Sequence, residues 1–145
     1  MGEITAPSTT GSLAGATDNY DQLCQSSTGK DVTYDLNLPV AVSHLRIDTV
    51  GSPSDTVLSF WNALCTTQIA CDDDSGGLLD SLIVRTNVPA GHYAIQVDMF
   101  DGASNPTGYT LNVSGTAAAG AACTDPLFAA GVLLCPTACT SGVCE

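Results

Sequence analysis

Basic side chains are almost missing from this chain. Lys30, Arg46 and Arg85 stand against 15 acids, for a formal net charge of −12. Three cations cannot build a phosphate-binding surface, which excludes nucleic acid as a partner. An anionic membrane surface is disfavoured for the same reason. Glutamate is scarce too, at Glu3 and Glu145 only. Helix formers are therefore few, while Thr, Val, Ser, Gly and Asp are plentiful, a balance that favours strands and turns. No apolar run reaches the roughly 18 residues of a membrane-spanning helix. The first residues have neither the basic start nor the apolar stretch of a signal peptide. The two histidines, His44 and His92, fall at polar positions of strand-like segments, and no GxSxG or HExxH motif occurs. Catalysis is not expected.

Present instead are 7 cysteines in 145 residues, a density that fits an oxidising compartment. The chain reads as a mature or excised piece of a secreted protein. Its acidity suits cations, basic partners or neutral glycans. Alternation is clearest over 31–38 (DVTYDLNL), where Val32, Tyr34, Leu36 and Leu38 share one face. Further strands are expected over 42–49, 56–61, 82–88, 92–98 and 109–113, separated by Pro and Gly turns. In the 92–98 segment Tyr93, Ile95 and Val97 should face inward and Ala94, Gln96 and Asp98 outward. Six or seven short strands without strand–helix alternation predict an all-β, antiparallel β-sandwich of jelly-roll-like type. Phe60 and Trp61 must point to opposite faces of one strand. An outward Trp61 would be a stacking platform for sugar or protein. Asn112-Val113-Ser114 matches the N-glycosylation pattern.

The stretch from Asp55 to Ser81 (DTVLSFWNALCTTQIACDDDSGGLLDS) is the most distinctive. Cys65 and Cys71 have the spacing of a local disulfide that closes a hairpin-like loop. Asp72, Asp73, Asp74 and Asp80 follow within nine residues, and Asp55 approaches across the hairpin. Like charges so crowded either splay into solvent or hold a hard cation, for which calcium, taking about six to eight oxygens, is the candidate. Gly76 and Gly77 would let backbone carbonyls turn inward. The loop is not an EF-hand, because the twelfth position from Asp72 is Ile83 rather than Glu. A second, weaker candidate set is Asp18, Asn19 and Asp31; Asp18 and Asn19 also read as residues that bond their own turn.

Four divisions are expected: an extended segment over 1–14, the sandwich over 15–114, a small-residue linker over 115–122 and a disulfide-rich tail over 123–145. The tail holds Cys123, Cys135, Cys139 and Cys144 and is too short for its own core. Without a CxxC pair, disulfides are expected there rather than zinc, with three pairings open.

The pieces DTVL at 55–58, ACDDDSGG at 70–77, DS at 80–81, PAGHYAIQV at 89–97 and GYTLNV at 108–113 occur in an order that resembles the bacterial pre-peptidase C-terminal domain. These are secreted β-sandwich modules appended to exported proteins and similar to the collagen-binding modules of collagenases. The resemblance covers roughly residues 15–114. It implies a non-catalytic, calcium-binding accessory or adhesion module at the bacterial cell surface, which targets or stabilises a larger exported protein. Its partner would be an extracellular protein or polysaccharide. The calcium positions of the collagen-binding modules correspond here to Asp18, Asn19 and Asp31. The other reading is a structural subunit of an extracellular fibre or surface layer, in which further copies of the chain join by strand addition.

Overall fold

A computed structural model describes residues 1–20, 23–24, 29–101 and 107–145. Twelve strands and one helical turn are assigned: β1 (Gly2–Glu3), β2 (Ser8–Ser12), β3 (Asp31–Leu38), β4 (Val42–Asp48), β5 (Thr56–Asn62), β6 (Gln68–Asp72), β7 (Leu82–Val88), β8 (Gly91–Met99), β9 (Gly108–Ala117), α1 (Pro126–Ala129), β10 (Leu133–Leu134), β11 (Cys139–Thr140) and β12 (Val143–Cys144). One sheet has the order β1-β3-β8-β5-β6. The other has the order β10-β9-β4-β7, with β2 also on β9. All pairings are antiparallel except β1 with β3 and β10 with β9. The result is the expected β-sandwich.

Alternation places the core. Leu36, Leu58, Phe60, Ile95 and Val97 face Leu45, Ile47, Leu111 and Val113 across the sandwich, all essentially without solvent contact. Tyr34 and Tyr109 join the two sheets through their hydroxyls at 2.6 Å. Burial and that hydrogen bond hold the Tyr109 phenol well above its ordinary pKa.

The other face of the first sheet departs from expectation. Ala94, Gln96 and Asp98 are buried, as are Val57, Ser59 and Trp61 beside them. The segment before β3 crosses this face as a strap. Gln96 donates Nε2 to the Tyr20 carbonyl at 2.8 Å. Leu23 N donates to Gln68 Oε1 at 2.9 Å, and Cys24 is bonded to Cys71. A sheet covered on both sides carries apolar or satisfied polar groups on both. Residues 21–22, 25–28 and 102–106 lie outside the described residues.

The ends of the chain are more closely tied to the sandwich than their composition suggests. Ile4 and Leu13 in the N-terminal segment are buried. β9 runs on to Ala117, so the first three residues of the expected linker are strand. In the tail, Val132 and Leu133 enter the main core and β10 pairs with Gly115 and Thr116. Asp125 caps α1 by accepting from Leu127 N, and Pro126 fills its first turn. The tail disulfides are Cys123–Cys139 and Cys135–Cys144.

Candidate metal centre at the acidic end

Three loops meet at one end of the sandwich: 49–55, 73–81 and the start of the loop after β8. A buried knot of hydroxyls ties the first two. Thr49 Oγ1 lies 2.6 Å from Thr56 Oγ1, Ser81 N donates to Thr49 Oγ1 at 2.8 Å, and Ser81 Oγ donates to the Thr56 carbonyl at 2.6 Å. All three residues are fully buried, so each polar atom needs the partner it has. Phe100 N donates to the Asp55 carbonyl, which brings in the third loop. Sequence reasoning passed over this knot, although Thr56 and Ser81 were in view as the second residues of DTVL and DS.

The knot aims the aspartates, and the structure divides the five candidates. Asp72 Oδ2 accepts from Ser75 N at 2.9 Å and from Leu82 N at 2.8 Å. Asp80 Oδ2 accepts from Gly51 N at 3.2 Å. These two hold backbone. Asp55, Asp73 and Asp74 instead converge, each offering an oxygen within 4.8 Å of the others. Asp55 Oδ1 and Asp73 Oδ1 are shielded from solvent and, among the described residues, have no hydrogen-bond partner. Burial lifts the Asp55 carboxyl above its ordinary pKa, and Asp74 adds to the rise. Asp73 is lifted by burial, then by Asp74, Asp55 and Asp72.

The chain reaches this geometry through a tight turn. Gly77 has φ +101° and Leu78 φ +60°. A Cβ on Gly76 would stand 2.6 Å from the Asp80 carbonyl oxygen, which leaves only glycine room there. Calcium–oxygen distances of about 2.3–2.6 Å put opposed ligands about 5 Å apart. The three converging oxygens are therefore close enough to reach one such ion, whose remaining ligands would have to be carbonyls and water.

At the weaker site, Asp31 Oδ2 accepts from Asn19 N at 2.6 Å and Tyr20 N at 3.1 Å. The Asn19 amide donates to Thr17 Oγ1 at 2.7 Å, and Asp18 is exposed. Asp31 thus anchors the strap to the start of β3.

Two expectations are corrected. Cys65 and Cys71 are not bonded to each other: Cys71 pairs with Cys24, and Cys65 is free. β6 supplies the reason. An extended strand advances about 3.3 Å per residue, so Gln68 to Cys71 alone spans about 10 Å, whereas the Cα atoms of the Cys24–Cys71 bridge are 5.8 Å apart. The loop at Cys65 is closed by Asn62 Oδ1, which accepts from Thr66 N and Thr67 N. Trp61 is not an outward platform either. It lies under the strap, 9% exposed, with Nε1 donating to Gln96 Oε1 at 3.0 Å. The glycosylation pattern is likewise occupied, since Asn112 Nδ2 donates to Asp48 Oδ1 and to the Val50 carbonyl.

Among solved structures, the chain is similar to the pre-peptidase C-terminal domain of a collagenase from Bacillus anthracis. The match has a TM-score of 0.54 and 14% identity, and covers 78% of this chain and 93% of that one. The fold is that of a pre-peptidase C-terminal domain. No family model matches the sequence, and no curated protein does. The likeness therefore lives in the architecture, where the strand pieces quoted above pointed.

Proposed function

We propose that this chain is a non-catalytic, secreted accessory module of a larger exported protein, and that its acidic end binds calcium through Asp55, Asp73 and Asp74. The observation that carries the calcium reading is the pair of buried oxygens, Asp55 Oδ1 and Asp73 Oδ1, crowded by Asp74 and lacking a hydrogen-bond partner among the described residues. A buried anion without compensation is costly, and a hard divalent cation offsets the charge. Support for secretion comes from three disulfides in a small domain. Support for the accessory role comes from the shared fold. Calcium would join Asp55, at the foot of β5, to the turn between β6 and β7 and so stiffen one end of the module. The partner would be an extracellular protein or polysaccharide.

Thermal unfolding with and without millimolar calcium tests the site, because ligand that binds only the folded state raises its stability by RT ln(1 + [L]/Kd). Calcium should raise the melting temperature and magnesium much less, since magnesium gives up its waters reluctantly. Asp73→Asn should abolish the rise. Asp80→Asn should keep it, because Asp80 holds Gly51 rather than the ion. An unchanged melting curve together with no heat of binding would leave a solvated acidic turn.

A further inference from the structure

The two sides of the sandwich are finished differently. On one, β1 lies along β3, and β2 and β10 lie along β9. On the other, β6 carries the strap through Leu23 and through the Cys24–Cys71 bridge. β7 pairs with β4 along one edge and, among the described residues, has no strand along its other edge. Four consecutive residues of its seven, 84–87, are exposed. A bare edge offers unpaired backbone N–H and C=O groups to any extended chain, and folded proteins usually block it.

Beside this edge a slot of about 140 Å³ opens between the sheets, lined by Phe60, Ile69, Val88, Tyr93 and Arg85 among others. Phe60 and Tyr93 stack with ring centroids 5.0 Å apart. Arg85 sits opposite Leu45 and is followed in register by Ile83 opposite Ile47, which puts it on the core-facing side of β7. It is exposed, and among the described residues no carboxylate lies within 4 Å of it. A cation next to an apolar slot on a bare strand edge has the makings of a peptide-recognition site.

We propose that β7 accepts an added strand from a partner polypeptide, which places a carboxylate on Arg85 and, two residues away on the same face, an apolar side chain in the slot. Main-chain pairing would supply affinity and the alternate side chains specificity, as in other strand-addition complexes. A second copy of this chain is the poorer occupant. Twofold pairing of β7 with itself centres on Arg85 and sets it against its own copy, and like charges directly opposite are destabilising. Two chains of net charge −12 also repel one another. The same field requires the rest of the partner segment to be neutral or basic. This deepens the accessory reading by naming the partner as an extended polypeptide, and it does not depend on the calcium site.

The test is selection of a randomised peptide library on the whole folded chain, once with calcium and once with chelator. Enrichment in both of peptides with Asp or Glu two residues from Leu, Ile, Val or Phe is expected. Binding of a selected peptide should slow hydrogen exchange at the amides of 82–88. Arg85→Glu should weaken that peptide by about tenfold or more, as for loss of a close charge pair, and should shift reselected peptides toward Lys or Arg. Arg85→Gln serves if the reversal impairs folding, and should weaken binding without that shift. Enrichment of unrelated sequences, protection elsewhere, or affinity indifferent to Arg85 would overturn the proposal. So would self-association that protects 82–88 without peptide. Enrichment that needs calcium would also overturn it, moving the peptide to the acidic end while leaving the metal reading intact.

Discussion

From residue 31 to residue 117 the inward side chains of β3, β4, β5, β8 and β9 meet an opposing sheet, and the chain is held by burial. From residue 123 to residue 145 there is one helical turn, three two-residue strands and two disulfides. The small cluster at the tail joins Cys123 and Cys144 to Ala117 at the end of β9, with partly buried neighbours. Packing organises the first region and covalent bonds the second. A short segment cannot bury enough apolar surface to offset the entropy of ordering it. The tail overcomes this by lending Leu127, Val132 and Leu133 to the sandwich core and by closing its own loops with sulfur.

Breaking the packed region should cost the most. Phe60→Ala removes a fully buried ring from the centre of the sandwich and should lower stability by about 3–5 kcal/mol in denaturant titrations. A loss under 1 kcal/mol would mean that the two sheets hold together by other means. The tail should respond next. Replacing Cys135 and Cys144 together by Ser opens a bridge whose ends are 9 residues apart, a loss of about 3 kcal/mol by the chain-entropy estimate. That loss should be local. Proteolysis should cut within the tail while the near-ultraviolet spectrum of the sandwich persists; cooperative unfolding of both would erase the distinction drawn here.

Smaller effects belong to the acidic end. Asp72→Ala strips the acceptor from Ser75 N and Leu82 N and should cost about 1–2 kcal/mol, with faster hydrogen exchange at those two amides. Asp73→Asn should have the opposite sign in calcium-free buffer. Asp73 is raised by burial and by its neighbours, so the folded state keeps a proton that the unfolded chain has released. Stability then falls as pH climbs from the unfolded value of about 4 through the raised one, and stays lower above it. The Asn variant should be slightly more stable than the parent at neutral pH, and the gain should vanish as pH drops below the carboxylate range. A gain independent of pH would point to something other than charge crowding.

The same division governs what could be read from the residues in order. β3 and, to within one residue, β4 occupy the segments that alternation marked, because a strand with one face on a core carries its own period. The period says nothing about a second cover. Ala94, Gln96 and Asp98 looked outward because the strap that buries them lies some seventy residues earlier in the chain. Cysteine spacing misled for a related reason. Cys65 and Cys71 are neighbours in sequence, yet the strand between them drives them apart, and Cys24 arrives from the strap. The acidic cluster was visible as a group but not as two groups. Which aspartates hold N–H groups and which converge depends on where Gly51, Ser75 and Leu82 point, and that is decided by the buried knot of Thr49, Thr56 and Ser81.

The chain has a single tryptophan, and its position gives the molecule a built-in reporter. Trp61 bonds to Gln96, and Gln96 bonds to the Tyr20 carbonyl. Indole emission should therefore follow the lifting of the strap, shifting red when water reaches the ring. Reducing the Cys24–Cys71 bond would be seen optically through that short relay. Events confined to the tail would leave the signal dark.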